Sequence, residues 1–128
     1  MSGWGVIPSI RVADMAQALD FYLGRLGFSA EGDPEQPNVS VVRGDARLML
    51  EKTADFYGDA YNLAIRQRLG SASPNALYME ADDLDDLYRT LEETATKIVD
   101  PLADRPWGQA EFTVEDPDGN WLTFWKKR

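Results

Sequence analysis

The chain has 128 residues, contains neither cysteine nor histidine, and carries a formal net charge of -9. This length suits a single compact domain that would bury roughly 68% of its unfolded surface, and the two missing residue types exclude disulfides, thiol nucleophiles, zinc-finger spacing and imidazole acid-base chemistry. The acidic balance argues against a nucleic-acid partner, whose phosphates need a basic surface, and favours neutral or cationic ligands.

Membrane and export signals are missing from the sequence pattern. No apolar run approaches the roughly 20 residues of a membrane span. Met1–Ile10 lacks the charged and then apolar layout of a signal peptide. We therefore expect a cytoplasmic protein with no membrane partner.

The first half of the chain begins with a short apolar strand, Val6–Val12, followed by an amphipathic helix. Asp14 stands where an N-cap is expected, and Gly27 is placed to end the helix. Two strands, Val39–Val42 and Leu48–Leu50, then flank a turn. The apolar positions at helical spacing are Met15, Ala18, Leu19, Tyr22 and Leu26.

The middle of the chain, about residues 55–74, is less regular and is predicted mainly as a connection or lid. A short helix around Tyr57–Leu69 is the alternative. Phe56, Tyr57 and Tyr61 either anchor this segment to the core or form the wall of a pocket.

The opening pattern then returns. The segment Ala76–Asp82 resembles Pro8–Asp14, and Asp82 or Asp83 could cap a second amphipathic helix running to about Thr94. Its apolar positions are Leu84, Leu87, Tyr88 and Leu91. The repeat predicts that strand, helix and hairpin occur twice.

A hairpin closes the second half. Ala110, Phe112 and Val114 alternate with polar residues, and Asp116–Asn120 has the composition of a tight turn. In the following strand Leu122 and Phe124 share one face, while the other carries Trp121, Thr123 and Trp125. The acids of this hairpin are interpreted as turn residues and not as catalytic carboxylates, and Lys126–Arg128 as a solvated tail. These acids are Glu111, Glu115, Asp116 and Asp118.

These elements predict an α+β fold of two tandem β-α-β-β-β modules, with curved sheets and the helices outside. The modules would span about residues 1–54 and 75–128 within one domain, residues 1–128. The strand Trp121–Trp125 has apolar side chains on both faces, and the two helices cannot cover both of them. We therefore expect a second subunit to cover the remaining face in a homodimer.

Three motifs in this order resemble the glyoxalase/bleomycin-resistance/extradiol-dioxygenase superfamily, also called vicinal oxygen chelate. They are A-D-M-A-Q-A-L-D-F-Y-L-G-R-L-G-F, A-D-D-L-D-D-L-Y and P-W-G-Q-A-E-F-T-V-E-D-P-D-G-N-W-L-T-F. The resemblance covers nearly the whole chain. It implies the duplicated fold, but this scaffold hosts many activities.

Metal-dependent members of that superfamily carry His or Glu ligands on matching strands of the two modules. The corresponding positions here are Ile7, Met49, Asn75 and Thr123. None is an imidazole or a carboxylate, which divalent metals need. We therefore expect no metal and no other cofactor.

The resemblance is then greatest to the metal-free bleomycin-resistance type, which binds its ligand in a cleft at a dimer interface. There a Trp in the P-W-G segment stacks on the ligand, and Trp107 matches it. The expected function is non-catalytic sequestration of an aromatic or cationic small molecule. The alternative is a glyoxalase- or dioxygenase-like lyase or oxygenase whose metal ligands lie elsewhere. The expected ligand-binding residues are Trp107, Trp121, Thr123, Trp125, Asn75, Met49, Phe56 and Tyr61.

Overall fold

The structure is a computed structural model that describes residues 6–52, 59–68 and 76–128. These residues divide into two compact units. The first contains residues 6–52 and 59–68, and the second contains residues 76–128.

The first unit is a four-stranded sheet with a helix following its first strand. Its strands are β1 (Ser9–Val12), β2 (Ser29–Glu31), β3 (Asn38–Arg43) and β4 (Ala46–Lys52). They are ordered β1-β4-β3-β2, with β1 parallel to β4 and the other neighbours antiparallel. A parallel neighbour needs a crossover connection, and the helix between β1 and β2 begins it.

The predicted first helix is confirmed at its start but differs in its second half. Helix α1 covers Met15–Leu19, and Asp14 accepts a 3.1 Å hydrogen bond from the backbone N–H of Gln17. The chain then continues as a π-helix over Asp20–Arg25, closed by a bond from the Leu26 N–H to the Phe21 carbonyl. The i→i+5 bonding of this segment was not predicted from the apolar spacing, and Phe21 is buried in it beside Tyr22 although only Tyr22 was among the predicted apolar positions.

The core of the first unit lies on one face of its sheet. Alternate residues of the strands point to this face and pack with the buried side of the helix. The largest of these buried side chains are Tyr22, Leu26, Leu50, Val12, Val39 and Val41.

The second unit repeats the topology of the first. It contains β5 (Ala76–Glu80), α3 (Leu84–Glu92), β6 (Lys97–Arg105), β7 (Gln109–Glu115) and β8 (Trp121–Lys127). The sheet order is β5-β8-β7-β6, with β5 parallel to β8. The predicted α+β fold of two β-α-β-β-β modules is therefore confirmed.

Aromatic stacking and helix α3 form the core of the second unit. Phe112 and Phe124 face each other across β7 and β8, with ring centroids 5.6 Å apart, and Tyr88 lies 5.0 Å from Phe112. Helix α3 begins after Asp83, which occupies one of the two predicted N-cap positions, but its side chain makes no capping hydrogen bond.

The side chain of Asp116 stabilises the β7–β8 turn. Asp116 accepts hydrogen bonds from the backbone N–H groups of Asp118 and Asn120 at 2.9 and 2.7 Å, which confirms a turn role for this acid.

The prediction that Lys126–Arg128 form a solvated tail is wrong. Strand β8 extends to Lys127, and Arg128 binds Asp85 on helix α3 at 2.8 Å.

Helix α2 covers Asp59–Arg68, so the alternative of a short helix in the middle of the chain is the one found. Tyr61 belongs to it. Phe56, Tyr57 and Asn75 lie outside the described residues. Within the ranges that the structure describes, no helix is long and apolar enough to span a membrane.

Candidate functional site

One face of the second sheet carries four of the eight predicted ligand-binding residues. Because directly opposed residues share a face, the pairs Glu111–Trp125, Thr113–Thr123 and Tyr78–Thr123 place these side chains together, away from the Phe112–Phe124 core. We call this surface the aromatic face. Its members are Tyr78, Trp107, Glu111, Thr113, Trp121, Thr123 and Trp125.

Trp107 lies in the turn between β6 and β7 and presents its ring to solvent. The turn is closed by a 3.1 Å bond from the Gly108 N–H to the Arg105 carbonyl, with Gly108 at a φ of 85°. Trp107 is 63% exposed, yet its indole Nε1 donates a 3.1 Å hydrogen bond to Glu111 Oε1. The ring is therefore held at one edge while much of it stays accessible.

Glu111 is a buried carboxylate on this face. It is only 5% exposed, and its nearest cation is Arg105, whose Nε lies 3.9 Å from Oε1. The same Arg105 donates through Nη2 to Asp100 and forms its closer ion pair there. Buried carboxylates need hydrogen bonds or opposite charge, and Glu111 obtains one hydrogen bond and a shared, distant cation.

Trp121 and Trp125 lie on β8, two residues before and two residues after Thr123. Trp121 is partly exposed, and its indole Nε1 donates a 3.0 Å bond to Glu115, which also pairs with Lys97 at 3.3 Å. Trp125 is half-buried and stands opposite Glu111 in the strand register. Two indole-carboxylate pairs thus lie along β7.

Between them lies a buried pair of hydroxyls. Thr113 Oγ1 and Thr123 Oγ1 are 2.7 Å apart, and Thr123 is 2% exposed. One hydroxyl donates to the other, so the pair behaves as a structural cross-strand contact. Thr123 is therefore a buried member of the aromatic face with its hydroxyl already engaged.

The corresponding face of the first sheet has a different character. Met49 is half-buried on β4 and stands between Ser9 and Ser40 in the register. Beside it, the buried Glu51 pairs with Arg11 at 3.0 Å. An ion pair occupies this face of the first sheet, whereas the matching face of the second sheet carries tryptophans.

Tyr61 joins this ionic cluster from helix α2. Arg11 Nη2 donates to the Tyr61 hydroxyl, and the guanidinium carbon lies 5.6 Å from the Tyr61 ring centroid. The contact combines a hydrogen bond with a cation-π interaction. These contacts with Arg11 explain the position of Tyr61 without a ligand, although Tyr61 is still 46% exposed.

The positions aligned with metal ligands do not fit a metal ion. Ile7 is a half-buried apolar residue ahead of β1, Met49 offers a thioether, and the Thr123 hydroxyl is bonded to Thr113. Asn75 lies outside the described residues. Across the portions of the chain that are described, no three His, Cys, Asp or Glu side chains form a metal-binding group.

The structure thus brings four predicted residues together in the second unit, namely Trp107, Trp121, Thr123 and Trp125. Met49 and Tyr61 belong to the first unit. Sequence reasoning did not single out Glu111, a further member of this face, because it grouped this residue with the acids of the turn. Its place between Ala110 and Phe112, inside the alternating strand, was the signal that separates it from them.

The chain is similar in sequence to proteins named bleomycin resistance protein. A protein of Geobacillus stearothermophilus named bleomycin resistance protein is 25% identical over 135 residues, which cover 94% of this chain and 95% of the relative. A Staphylococcus aureus protein of the same name matches equally. These identities are low, so they support common ancestry more than a shared ligand.

Solved structures agree with the fold. A superfamily member from Sphaerobacter thermophilus is 28% identical, with a TM-score of 0.70 and 94% of each chain covered. TioX from Micromonospora sp. ML1 has a TM-score of 0.73 at 19% identity, covering 96% of this chain and 98% of TioX. The family description that matches residues 6–124 is "Glyoxalase/Bleomycin resistance protein/Dioxygenase superfamily". With its two β-α-β-β-β units, the chain belongs to this superfamily.

Proposed function

We propose that the protein is a non-catalytic binding protein of the bleomycin-resistance type, which sequesters an aromatic or cationic small molecule. The observation that carries the proposal is the Trp107 ring, 63% exposed and fixed through its Nε1 by Glu111. An exposed, oriented indole is a ready stacking surface for a flat ring. Trp121 and Trp125 extend this apolar surface along β8.

The proposed ligand site is a cleft at the interface of a homodimer. Tyr78, Trp107 and Trp121 are exposed large side chains of the aromatic face, and a second subunit is the simplest cover for them. Analytical ultracentrifugation at micromolar concentration should give about twice the 14.4 kDa mass of the chain. A monomeric mass would refute the dimer and leave the stacking role of Trp107 to be judged by binding.

Binding is tested with 1-naphthalenemethanol, a neutral flat ring, by isothermal titration calorimetry. Trp107→Ala should weaken binding by about two- to thirtyfold, which corresponds to the usual range for one aromatic or cation-π contact. Trp107→Phe keeps a ring and should lose less. Leu63→Ala removes an exposed apolar side chain from helix α2 and serves as the control. Unchanged affinity in Trp107→Ala would return Trp107 to a purely structural role.

The alternative is an enzyme of the same superfamily whose metal ligands lie away from the aligned positions. Its support is the presence of two buried carboxylates, Glu51 and Glu111, outside those positions. Arg11 pairs with the first, and Trp107 binds the second. About one tightly held transition metal per chain, found by elemental analysis after chelator-free purification, would favour this alternative over sequestration.

A further inference from the structure

We infer that Glu111 is the specificity-determining residue of the aromatic face and that it selects ligands carrying a protonated nitrogen beside a flat ring. The inference rests on the proposed binding function. It adds the charge of the ligand and the group that recognises it. Three observations support it: the burial of Glu111, its incomplete pairing and its hydrogen bond to Trp107.

The charges around Glu111 do not balance. Asp100, Arg105 and Glu111 form a group of two carboxylates and one guanidinium, with a net charge of -1. Arg105 is bound to Asp100 and reaches Glu111 only at 3.9 Å. The Glu111 carboxylate is 5% exposed and has lost most of its hydration. A ligand cation that pairs with it would therefore gain a strong, charge-assisted contact.

The hydrogen bond and the ion pair of Glu111 involve the same carboxylate oxygen. Trp107 Nε1 and Arg105 Nε approach Oε1, at 3.1 and 3.9 Å. A carboxylate has lone pairs for about four hydrogen bonds, so Oε2 keeps its capacity to accept from a ligand. The Trp107 bond also ties the carboxylate to the stacking ring, which favours a ligand with an amine close to its ring.

Two other acids provide internal comparisons. Glu51 is equally buried, but Arg11 pairs with it at 3.0 Å and Ser9 also donates to it, so its charge is already compensated. Glu115 accepts from Trp121 in the same manner as Glu111 does from Trp107, but Lys97 pairs with it at 3.3 Å. Glu111 therefore differs from both by the weakness of its cationic partner.

The experiment compares three probes that share one ring: 1-naphthylmethylamine, 1-naphthalenemethanol and 1-naphthaleneacetate, which are cationic, neutral and anionic at pH 7. Calorimetry on the full chain should show the amine binding about tenfold more tightly than the alcohol, as expected for a charge-assisted hydrogen bond. The acetate should bind more weakly than both.

Glu111→Gln keeps an oxygen that can accept from Trp107 but removes the charge. It should abolish the preference, bringing the ratio of the dissociation constants of the alcohol and the amine to about one. Arg105→Gln should act in the opposite direction and strengthen the preference, because it removes the shared cation. Glu115→Gln is the matched control and should keep the wild-type preference.

The outcomes separate the two proposals. If all three probes bind the wild-type protein equally, or if Glu111→Gln keeps the preference, the inference about Glu111 is overturned while the binding function stands. If Arg105→Gln does not raise the preference, the charge argument also fails, even where Glu111→Gln proves unstable. If none of the probes binds, the ring site at Trp107 is overturned together with this inference.

Discussion

At the scale of single residues, the buried ion pair between Arg11 and Glu51 is the contact with most consequence for stability. Glu51 is 5% exposed, and its carboxylate accepts from Arg11 Nη1 at 3.0 Å and from the Ser9 hydroxyl. Arg11 in turn contacts Tyr61 through both its hydrogen bond and the ring. Removal of the cation would leave a carboxylate without its compensating charge.

We expect Arg11→Ala to lower the free energy of unfolding by about 3 to 5 kcal/mol, since a buried pair that loses one partner leaves an uncompensated charge. Urea denaturation measures the loss. The control is Arg47→Ala, because Arg47 pairs with a half-exposed Glu31, and such surface pairs contribute about 0 to 1 kcal/mol. Similar losses in the two variants would contradict the expected role of burial.

Asp85 provides a pH-dependent contact at the residue scale. The hydrogen bond from Arg128 lowers the pKa of Asp85 below its ordinary value of 3.8, and Arg128 reaches it through two nitrogens at 2.8 and 3.1 Å. A lowered folded-state pKa contributes stability above the unfolded value, and this contribution is lost as the pH falls through the folded value.

An NMR titration of the Asp85 carboxyl carbon should therefore give a pKa below 3.8 in the wild-type protein. Arg128→Gln should raise that pKa back toward the ordinary value. Lys127→Gln is the control, since no hydrogen bond or charge effect of Lys127 is among the causes of the shift. A value that is the same in wild type and Arg128→Gln would show that the C-terminal contact does not persist in solution.

At the scale of elements, the β7–β8 hairpin depends on a single turn residue. Asp116 is 4% exposed, and its two carboxylate oxygens accept from two backbone N–H groups and from the Asn120 amide at 2.9 Å. Gly119 supplies the positive φ of 88° that the reversal requires. This turn sets the register that brings the aromatic face together.

Asp116→Ala should destabilise the protein by about 2 kcal/mol or more, because it removes charge-assisted hydrogen bonds from a buried turn. Thermal denaturation monitored by circular dichroism checks this. Asp45→Ala in the β3–β4 turn is the matched control, because Asp45 is exposed and should change stability by less than about 0.5 kcal/mol. An equally small effect at Asp116 would contradict the role of its carboxylate.

At the scale of the whole molecule, the two units are small. Each spans about 60 residues, a size at which a lone domain buries only about 60% of its unfolded surface and is marginally stable. We therefore propose that residues 1–128 unfold as one cooperative domain. This remains a prediction from size and from the repeated sequence pattern.

A substitution in one unit and an optical probe in the other tests this cooperativity. Trp4→Phe leaves three tryptophans, all within residues 76–128, so their fluorescence follows the second unit. In that background, Leu50→Ala removes a fully buried side chain of the first unit and should lower the unfolding free energy by about 2 to 5 kcal/mol. A fluorescence transition that does not shift would mean that the units unfold independently.

The sequence alone determined the fold and the side of β8 that carries the tryptophans. Helical spacing after Asp14 and before Gly27, strict alternation from Ala110 to Val114, and the repeat of both patterns are local signals that do not need the folded chain to be read. The same alternation assigned Trp121, Thr123 and Trp125 to one side of β8. These predictions succeed because side-chain direction follows directly from the period of the backbone.

Only the tertiary structure decided which charged groups are buried and what they contact. Arg11 and Glu51 are separated by 40 residues in the sequence, and Asp85 and Arg128 by 43. The fold of each unit brings these residues into contact, and no local sequence pattern predicts such contacts. Glu111 looks like its neighbouring acids in sequence, yet it lies inside a strand with a weak cationic partner. Burial and charge compensation depend on distances between remote segments, and these distances exist only in the folded chain.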